Sequence, residues 1–195
     1  MQHLTEGVAR FQRDLFPPRK DLFTHLATHH APHTLFIGCS DARVVPELIT
    51  GTGPGGLFVI RTAGNLVPAH TPGADGIAAS IEYAVGALGV KDIVVCGHSA
   101  CGAMTALAEG HDLTTAPALA TWLRHADAAL ARTGPAGDVP ALVRQNVLAQ
   151  LANLATHPSV ARALSREEIA LHGWVFDIPT GRVEDVTPTG HLIAA

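Results

Sequence analysis

The sequence predicts an α/β protein with a central, mostly parallel β-sheet. Four strands plus a C-terminal edge strand are expected, flanked by helices. Two observations carry this. Short apolar runs alternate with helix-length segments along the chain. The run Asp92-Ile93-Val94-Val95-Cys96 is almost wholly apolar, as in a parallel strand covered on both faces. At 195 residues, one domain over 1–195 is the expectation, with residues 1–30 as a helical arm.

The elements follow in order. Residues 4–15 and 20–29 read as two helices, broken apart by Pro17-Pro18. Residues 34–38 and 57–60 are short apolar strands. Residues 75–88 read as a helix with small and apolar residues on most faces, hence well buried. The strand 92–96 is followed by a helix over 101–108. Two longer helices are expected at about 118–131 and 141–155, with Gly134-Pro135 and Gly137 marking the turn between them and His157-Pro158 ending the second. Residues 169–178 form the fourth strand; Pro179-Thr180-Gly181 turns it, and residues 182–186 pair back as a hairpin. Chemistry in such sheets sits beyond the carboxyl ends of the central strands.

Composition narrows the function classes. Apolar residues make up 47% and charged residues 15%, against roughly 25% charged in an average domain. That excludes intrinsic disorder and collagen or coiled-coil compositions. A net charge of -4 argues against a nucleic-acid partner. Mean hydropathy is +0.24, yet no window provides the nearly uncharged apolar run of a membrane span, and the opening residues lack a secretory leader pattern. The surplus apolar surface is assigned to subunit contacts, so a homo-oligomer is expected and a membrane partner is not. Three cysteines, Cys39, Cys96 and Cys101, are too few and odd in number for a disulfide framework. They point to a reducing compartment, the cytoplasm, where cysteines serve as metal ligands, nucleophiles or core residues.

Three patterns mislead. Gly51-Thr52-Gly53-Pro54-Gly55-Gly56 matches a dinucleotide fingerprint in letters, but it precedes a strand instead of following one and contains Pro54, so it reads as a turn. Cys39 followed by Arg43 suggests a cysteine phosphatase loop, but position 45, where that loop needs arginine, is Val45. The run His25, His29, His30 and His33 resembles a metal cluster, but no cysteine or acid completes it, and histidines on such a helix are usually solvated.

The chemistry gathers at two strand ends. The first strand runs into Cys39-Ser40-Asp41-Ala42-Arg43, and extended chain would put Cys39, Asp41 and Arg43 on one face. The third runs into Cys96-Gly97-His98-Ser99-Ala100-Cys101-Gly102, where His98 and Cys101 share a strand-to-helix turn. If the two strands are neighbours, Cys39, His98 and Cys101 supply two thiolates and an imidazole to one ion. That donor set suits zinc, with an open fourth position for catalysis. Cys96, inside the apolar strand, reads as core. Tyr83 and Trp122 read as packing residues; Gly64, Asn65 and Gly102 as positions of close backbone approach.

These residues, with Leu57 to Asn65 (LFVIRTAGN), Ser80 to Val85 (SIEYAV), Val95 to Met104 (VCGHSACGAM), Asn146 to Pro158 (NVLAQLANLATHP) and Leu171 to Asp177 (LHGWVFD), closely resemble the β-class carbonic anhydrases. The opening Glu6-Gly7-Val8-Ala9-Arg10-Phe11 is similar to the bacterial and cyanobacterial branch. The resemblance implies one zinc ion per subunit on Cys39, His98 and Cys101, with Asp41 and Arg43 as the active-site dyad. It implies reversible hydration of carbon dioxide to bicarbonate and a proton by zinc-bound hydroxide. It also implies a dimer or tetramer in which the N-terminal helices pack on a partner subunit. Family members exist in two states, so Asp41 is either the orienting carboxylate, held by Arg43, or a fourth zinc ligand in a closed state. Backbone N–H groups near Gly102 favour an anion such as bicarbonate.

Zinc carrying two thiolates and a neutral imidazole has a net charge near zero. It should acidify its water less than a three-histidine site does, so activity should rise into mildly alkaline pH. The alternatives are a same-fold enzyme acting on carbon disulfide or carbonyl sulfide, and a non-catalytic zinc-stabilised scaffold or bicarbonate sensor. A redox thiol protein is disfavoured, because Cys39 and Cys101 lie in separate segments with His98 beside one. The chain departs from the family in places. Ala42 stands where many relatives carry Ser, and Thr62 replaces a common Asn. In one branch a Trp, an Arg and a Tyr form an inhibitory bicarbonate site; the corresponding residues here are Phe36, Arg61 and Phe176. Phe lacks the donors of Trp and Tyr, so this regulatory site is expected to be absent.

Overall fold

The computed structural model describes residues 1–73, 75–134 and 137–187. The chain divides into two compact units, Met1–Ala31 and a larger one from Pro32 onward. The first holds α1 (Gln2–Arg10) and α2 (Lys20–Leu26). Between them regular α-helix is interrupted around Pro17-Pro18, as expected. The chain passes through a wider π-type turn (Phe11–Leu15), a bend at Phe16 and a tighter 3-10 turn (Pro17–Arg19), and Arg19 has the non-helical φ -113° and ψ 9°. Phe11, Phe16 and Phe23 pack ring against ring within this unit, at centroid distances of 5.4 to 6.0 Å.

The larger unit is built on the expected sheet. Its strands are β1 (Thr34–Cys39), β2 (Leu57–Thr62), β3 (Asp92–His98), β4 (Ala170–Phe176) and β5 (Val183–Asp185), in the order β2-β1-β3-β4-β5. The first four are parallel and β5 pairs antiparallel with β4. The register places Gly38 beside Cys96 and Cys39 beside Thr62. The carboxyl ends of β1 and β3 are therefore neighbours, which the site requires.

The helices correct the sequence reading in several places. The helix expected over 75–88 is α4 (Gly76–Glu82), capped by the Asp75 carboxylate on the Ile77 N–H and extended by a wider turn (Tyr83–Ala87). The helix expected over 118–131 is split into α6 (Pro117–Leu123) and α7 (Asp127–Arg132) by a 3-10 turn at Arg124–Ala126. Two short helices were not foreseen: α3 (Pro46–Thr50), which ends on Gly51 in the left-handed conformation, and α9 (Pro158–Ser165). Pro158, read as a terminator, is instead the first residue of α9, and Pro46 opens α3 in the same way. The remaining helices are α5 (Gly102–Ala108) and α8 (Val139–Leu154), the latter capped by Asp138 on the Ala141 N–H. Pro135, part of the expected turn before α8, lies outside the described residues. Residues 53–56 form a turn, not a nucleotide loop.

Strand alternation sorts the core onto two sheet faces. Leu35, Ile37, Ile93 and Val95 pack with Val147 and Leu154 of α8, whereas Phe36, Val94 and Cys96 lie on the opposite face with Trp174. α8 sits close on the sheet because β3 and β4 present glycines to it. A Cβ on Gly97 would lie 2.9 Å from Val147 and 3.1 Å from Val143; one on Gly173 would lie 2.9 Å from Leu151. α8 is buried on several sides, and so lacks a single clean apolar stripe.

Candidate metal centre

Cys39 is the last residue of β1, His98 the last of β3, and Cys101 caps the start of α5. Their ligand atoms all lie within 4.8 Å of one another, and all three residues are buried. The His98 ring is oriented by its own turn: Nδ1 donates to the Ser99 carbonyl at 3.0 Å. This leaves the Nε2 lone pair buried and without a hydrogen-bond partner. Buried polar atoms are rarely left unpaired unless an ion or ligand completes them. Two soft sulfurs and one imidazole around such an orphan are the donor set zinc prefers, and the residues fit that ion.

The Cys39 and Cys101 sulfurs lie within 4.8 Å of each other. The Cys101 thiol is the main influence drawing the Cys39 pKa down to about 4, with His98 and the N–H groups of Asp41 and Gly64 adding to it against the opposing effect of burial. The neighbouring Cys39 sulfur, with burial, holds Cys101 up. One thiol is thus already primed as the anionic form that binds metal. Cys96 behaves as expected of a core residue. It is fully buried among apolar side chains, and burial pushes its pKa up to about 12.

The dyad forms, though by a different route than extended chain. After Cys39 the backbone turns: the Val44 N–H donates to the Asp41 carbonyl, and the Arg43 N–H donates to Asp41 Oδ1 at 2.9 Å. This side-chain-to-backbone turn is a favoured local alternative to strand for aspartate. It folds the guanidinium back so that Arg43 Nε and a terminal nitrogen donate to the two Asp41 oxygens at 2.9 and 2.7 Å. Arg43 also donates to the Ala100 carbonyl at 3.0 Å, bridging the two strand ends. Ala100 has φ +53°, a left-handed conformation that aims this carbonyl outward at a cost of roughly 1–2 kcal/mol for a residue with a Cβ. Asp41 Oδ2 lies 3.9 Å from His98 Nε2, beside the ligand atoms, with both oxygens engaged by arginine. The Arg43 guanidinium holds the Asp41 carboxyl well below the usual carboxylate range.

Three positioning groups were not foreseen in these roles. Arg61 donates to the carbonyls of Cys39 (3.0 Å), Asp41 (2.5 Å) and Val44 (2.7 Å), clamping the segment that carries the ligand and the dyad. Trp122, read as a packing residue, also donates from its indole to the Ala63 carbonyl at 2.9 Å. A row of amides on α8 does the same for the loop after β2. Asn146 donates to the Gly64 carbonyl, Gln150 joins Asn146 and accepts from the Val67 N–H, and Asn153 donates to the Val67 carbonyl. Asn146, Gln150 and Asn153 recur at helical spacing in an otherwise apolar stretch, a signal visible in the sequence. Gly64 needs to be glycine. Its φ is +73°, and a Cβ would crowd Ala103 and Met104 at 3.1 Å. Gly102 differs: a Cβ there would meet nothing within 4 Å.

Comparison with known proteins agrees with this geometry. The model of the carbonic anhydrase family matches residues 34–183. The chain is a β-carbonic anhydrase. It is 56% identical to a carbonic anhydrase of Pseudomonas aeruginosa, covering 94% of this chain and 86% of that protein. It is 54% identical to carbonic anhydrase 1 of Escherichia coli O157:H7, with the same coverage. Among solved structures, the β-carbonic anhydrase CcaA superposes with a TM-score of 0.92 at 38% identity, over 100% of this chain and 92% of that one. A tetrameric β-carbonic anhydrase of Sordaria macrospora superposes with a TM-score of 0.72 at 34% identity, over 97% and 94%. Among the described residues no helix is long and apolar enough to cross a membrane.

Proposed function

We propose that the protein catalyses zinc-dependent, reversible hydration of carbon dioxide to bicarbonate, with Cys39, His98 and Cys101 holding one zinc ion per chain. The observation that carries this reading is the buried, unpartnered His98 Nε2 facing two thiols beside an arginine-held carboxylate. Zinc bound there would supply a Lewis acid that lowers the pKa of water. The chain's own groups do the rest. Two thiolates offset the charge of the ion. Asp41, ionised and fixed, would accept a hydrogen bond from the attacking oxygen at a carboxylate oxygen, without taking its proton, and so aim its lone pair at carbon. Arg43 keeps Asp41 from swinging onto the metal, which supports the orienting role over that of a closed-state fourth ligand. Backbone N–H groups at Gly102 are assigned to the product anion.

We also read residues 1–195 as one functional domain, working as a homodimer or homotetramer with the N-terminal helices on a partner subunit. The exposed apolar side chains Leu4, Val8, Leu15 and Leu22 support this, as does the tetrameric relative. The three free cysteines suit a reducing compartment, and the cytoplasm is our assignment. Absence of the separate bicarbonate site is supported by Phe36, which is fully buried, and by Arg61, whose Nε and one terminal nitrogen are taken by carbonyls. Stopped-flow hydration of carbon dioxide, with zinc measured on the same sample, tests the reading. One zinc per chain with turnover, both lost in Cys39→Ala, is expected. Zinc without turnover, or turnover on carbon disulfide alone, would overturn it.

A further inference from the structure

A cavity of about 230 Å³ lies between the end of the turn that extends α4, the start of β3 and the exposed side of α9. Its floor is core: Val90, Ala163 and Ile169. Its rim is cationic. Lys91 comes from the residue before β3, while Arg162 and Arg166 come from successive turns of α9 and its cap. Only one carboxylate lines the cavity, that of Glu168, at 3.9 Å from Arg166. Among the described residues, neither the Lys91 nor the Arg162 side chain has an ion-pair or hydrogen-bond partner. The adjacent Asp92 makes no ion pair with Lys91; its two oxygens meet His33 and His172 instead. The Ser159 hydroxyl lines the same cavity one turn before Arg162 and is likewise unpartnered.

In a chain of net charge -4, three cations converging on one cavity need an explanation. Complementing the carbonyl end of α9 accounts for Arg162. It does not account for Lys91, which belongs to another element. Arginine with lysine and a hydroxyl is the donor set that grips a phosphoryl group. The volume falls below the roughly 300 Å³ at which pockets for drug-sized ligands begin. We propose that this cavity binds a small phosphomonoester, its phosphoryl group held by Lys91 and Arg162 with Ser159 donating. The seven residues of β3, at about 3.3 Å each, place this site roughly 20 Å from the metal centre, so it neither competes for that centre nor depends on its chemistry.

Calorimetry on the zinc-loaded protein tests this, with glycerol 3-phosphate as probe, inorganic phosphate as the phosphoryl group alone, and glycerol as the uncharged control. Bicarbonate in excess keeps the metal centre occupied. One glycerol 3-phosphate per chain is expected, with no heat from glycerol. In Lys91→Ala/Arg162→Ala the affinity should fall at least about tenfold while hydration of carbon dioxide is unchanged. Both side chains are exposed, so the fold should survive. The single charge-neutral Lys91→Gln repeats the test with less perturbation. Equal affinity in the variants, binding that bicarbonate abolishes, or no binding of either phosphate at millimolar concentration would overturn the proposal.

Discussion

Replacing Arg61 by methionine removes the donors from three backbone carbonyls at once, those of Cys39, Asp41 and Val44. Methionine keeps most of the stem and so separates lost hydrogen bonding from lost packing. Bonds to a charged donor contribute about 1.5–3 kcal/mol when buried, but Arg61 is exposed and water can replace it, so about 1 kcal/mol each is the better figure. Three such bonds total about 2–3 kcal/mol. The acceptors sit on one segment of six residues that carries a ligand and the dyad, so the loss falls on the ordering of that segment. If zinc must order the segment in order to bind, its affinity drops by about 30- to 140-fold at 1.4 kcal/mol per decade. Competition with a chromophoric chelator reads this directly, and urea unfolding of the zinc-loaded protein reads the stability. Arg61→Lys should recover only part, because one ammonium cannot span three carbonyls. Zinc affinity within a factor of two of the parent, with an unmoved urea midpoint, would refute the clamp.

Other outcomes follow from the same geometry. Asp41→Asn should lower kcat for hydration about 100-fold or more, with zinc content intact, since a positioned proton acceptor is worth that much; an unchanged kcat would remove Asp41 from the mechanism. Gly97→Ala should cost about 1–3 kcal/mol in urea unfolding, because its Cβ would lie 2.9 Å from Val147 under α8. The hydration rate should rise between about pH 6 and 9 as the metal-bound water ionises. Asp41 cannot be the source of that rise, because Arg43 lowers its pKa and it stays ionised throughout. The lowered value also means that the pair stabilises the fold above the ordinary aspartate pKa of about 3.9 and that this contribution is lost as pH falls below it. Acid unfolding of Arg43→Gln should therefore begin at higher pH than in the parent.

The sheet and the clustering of Cys39, His98 and Cys101 were legible because their signals are strong and local. Near-continuous apolar runs give the parallel strands, and C-x-D-x-R with H-x-x-C gives the donors. Adjacency of β1 and β3 was an assumption that the pairing of Gly38 with Cys96 converts into a fact. The helix boundaries were less legible because proline is ambiguous: the same residue that stops a helix also opens one, as Pro46 and Pro158 do. The dyad was read as extended chain because the residue types say nothing of the tight turn that the Asp41 side chain itself imposes. Arg61 and the α8 amides escaped as clamps because their acceptors include carbonyls seventeen or more residues away, and a backbone acceptor leaves no mark in a sequence.

The order in which the chain emerges during synthesis gives the neighbouring strand ends a kinetic meaning. Cys39 appears early, whereas His98 and Cys101 follow some sixty residues later, after β2 has taken the far side of β1. A nascent polypeptide stalled before residue 96 would offer a metal a single sulfur, that of Cys39, too weak a hold to compete with cellular chelators. If zinc binds as proposed, loading would wait until β1 and β3 have paired, and ion capture would be a late checkpoint on correct topology rather than a nucleus for it.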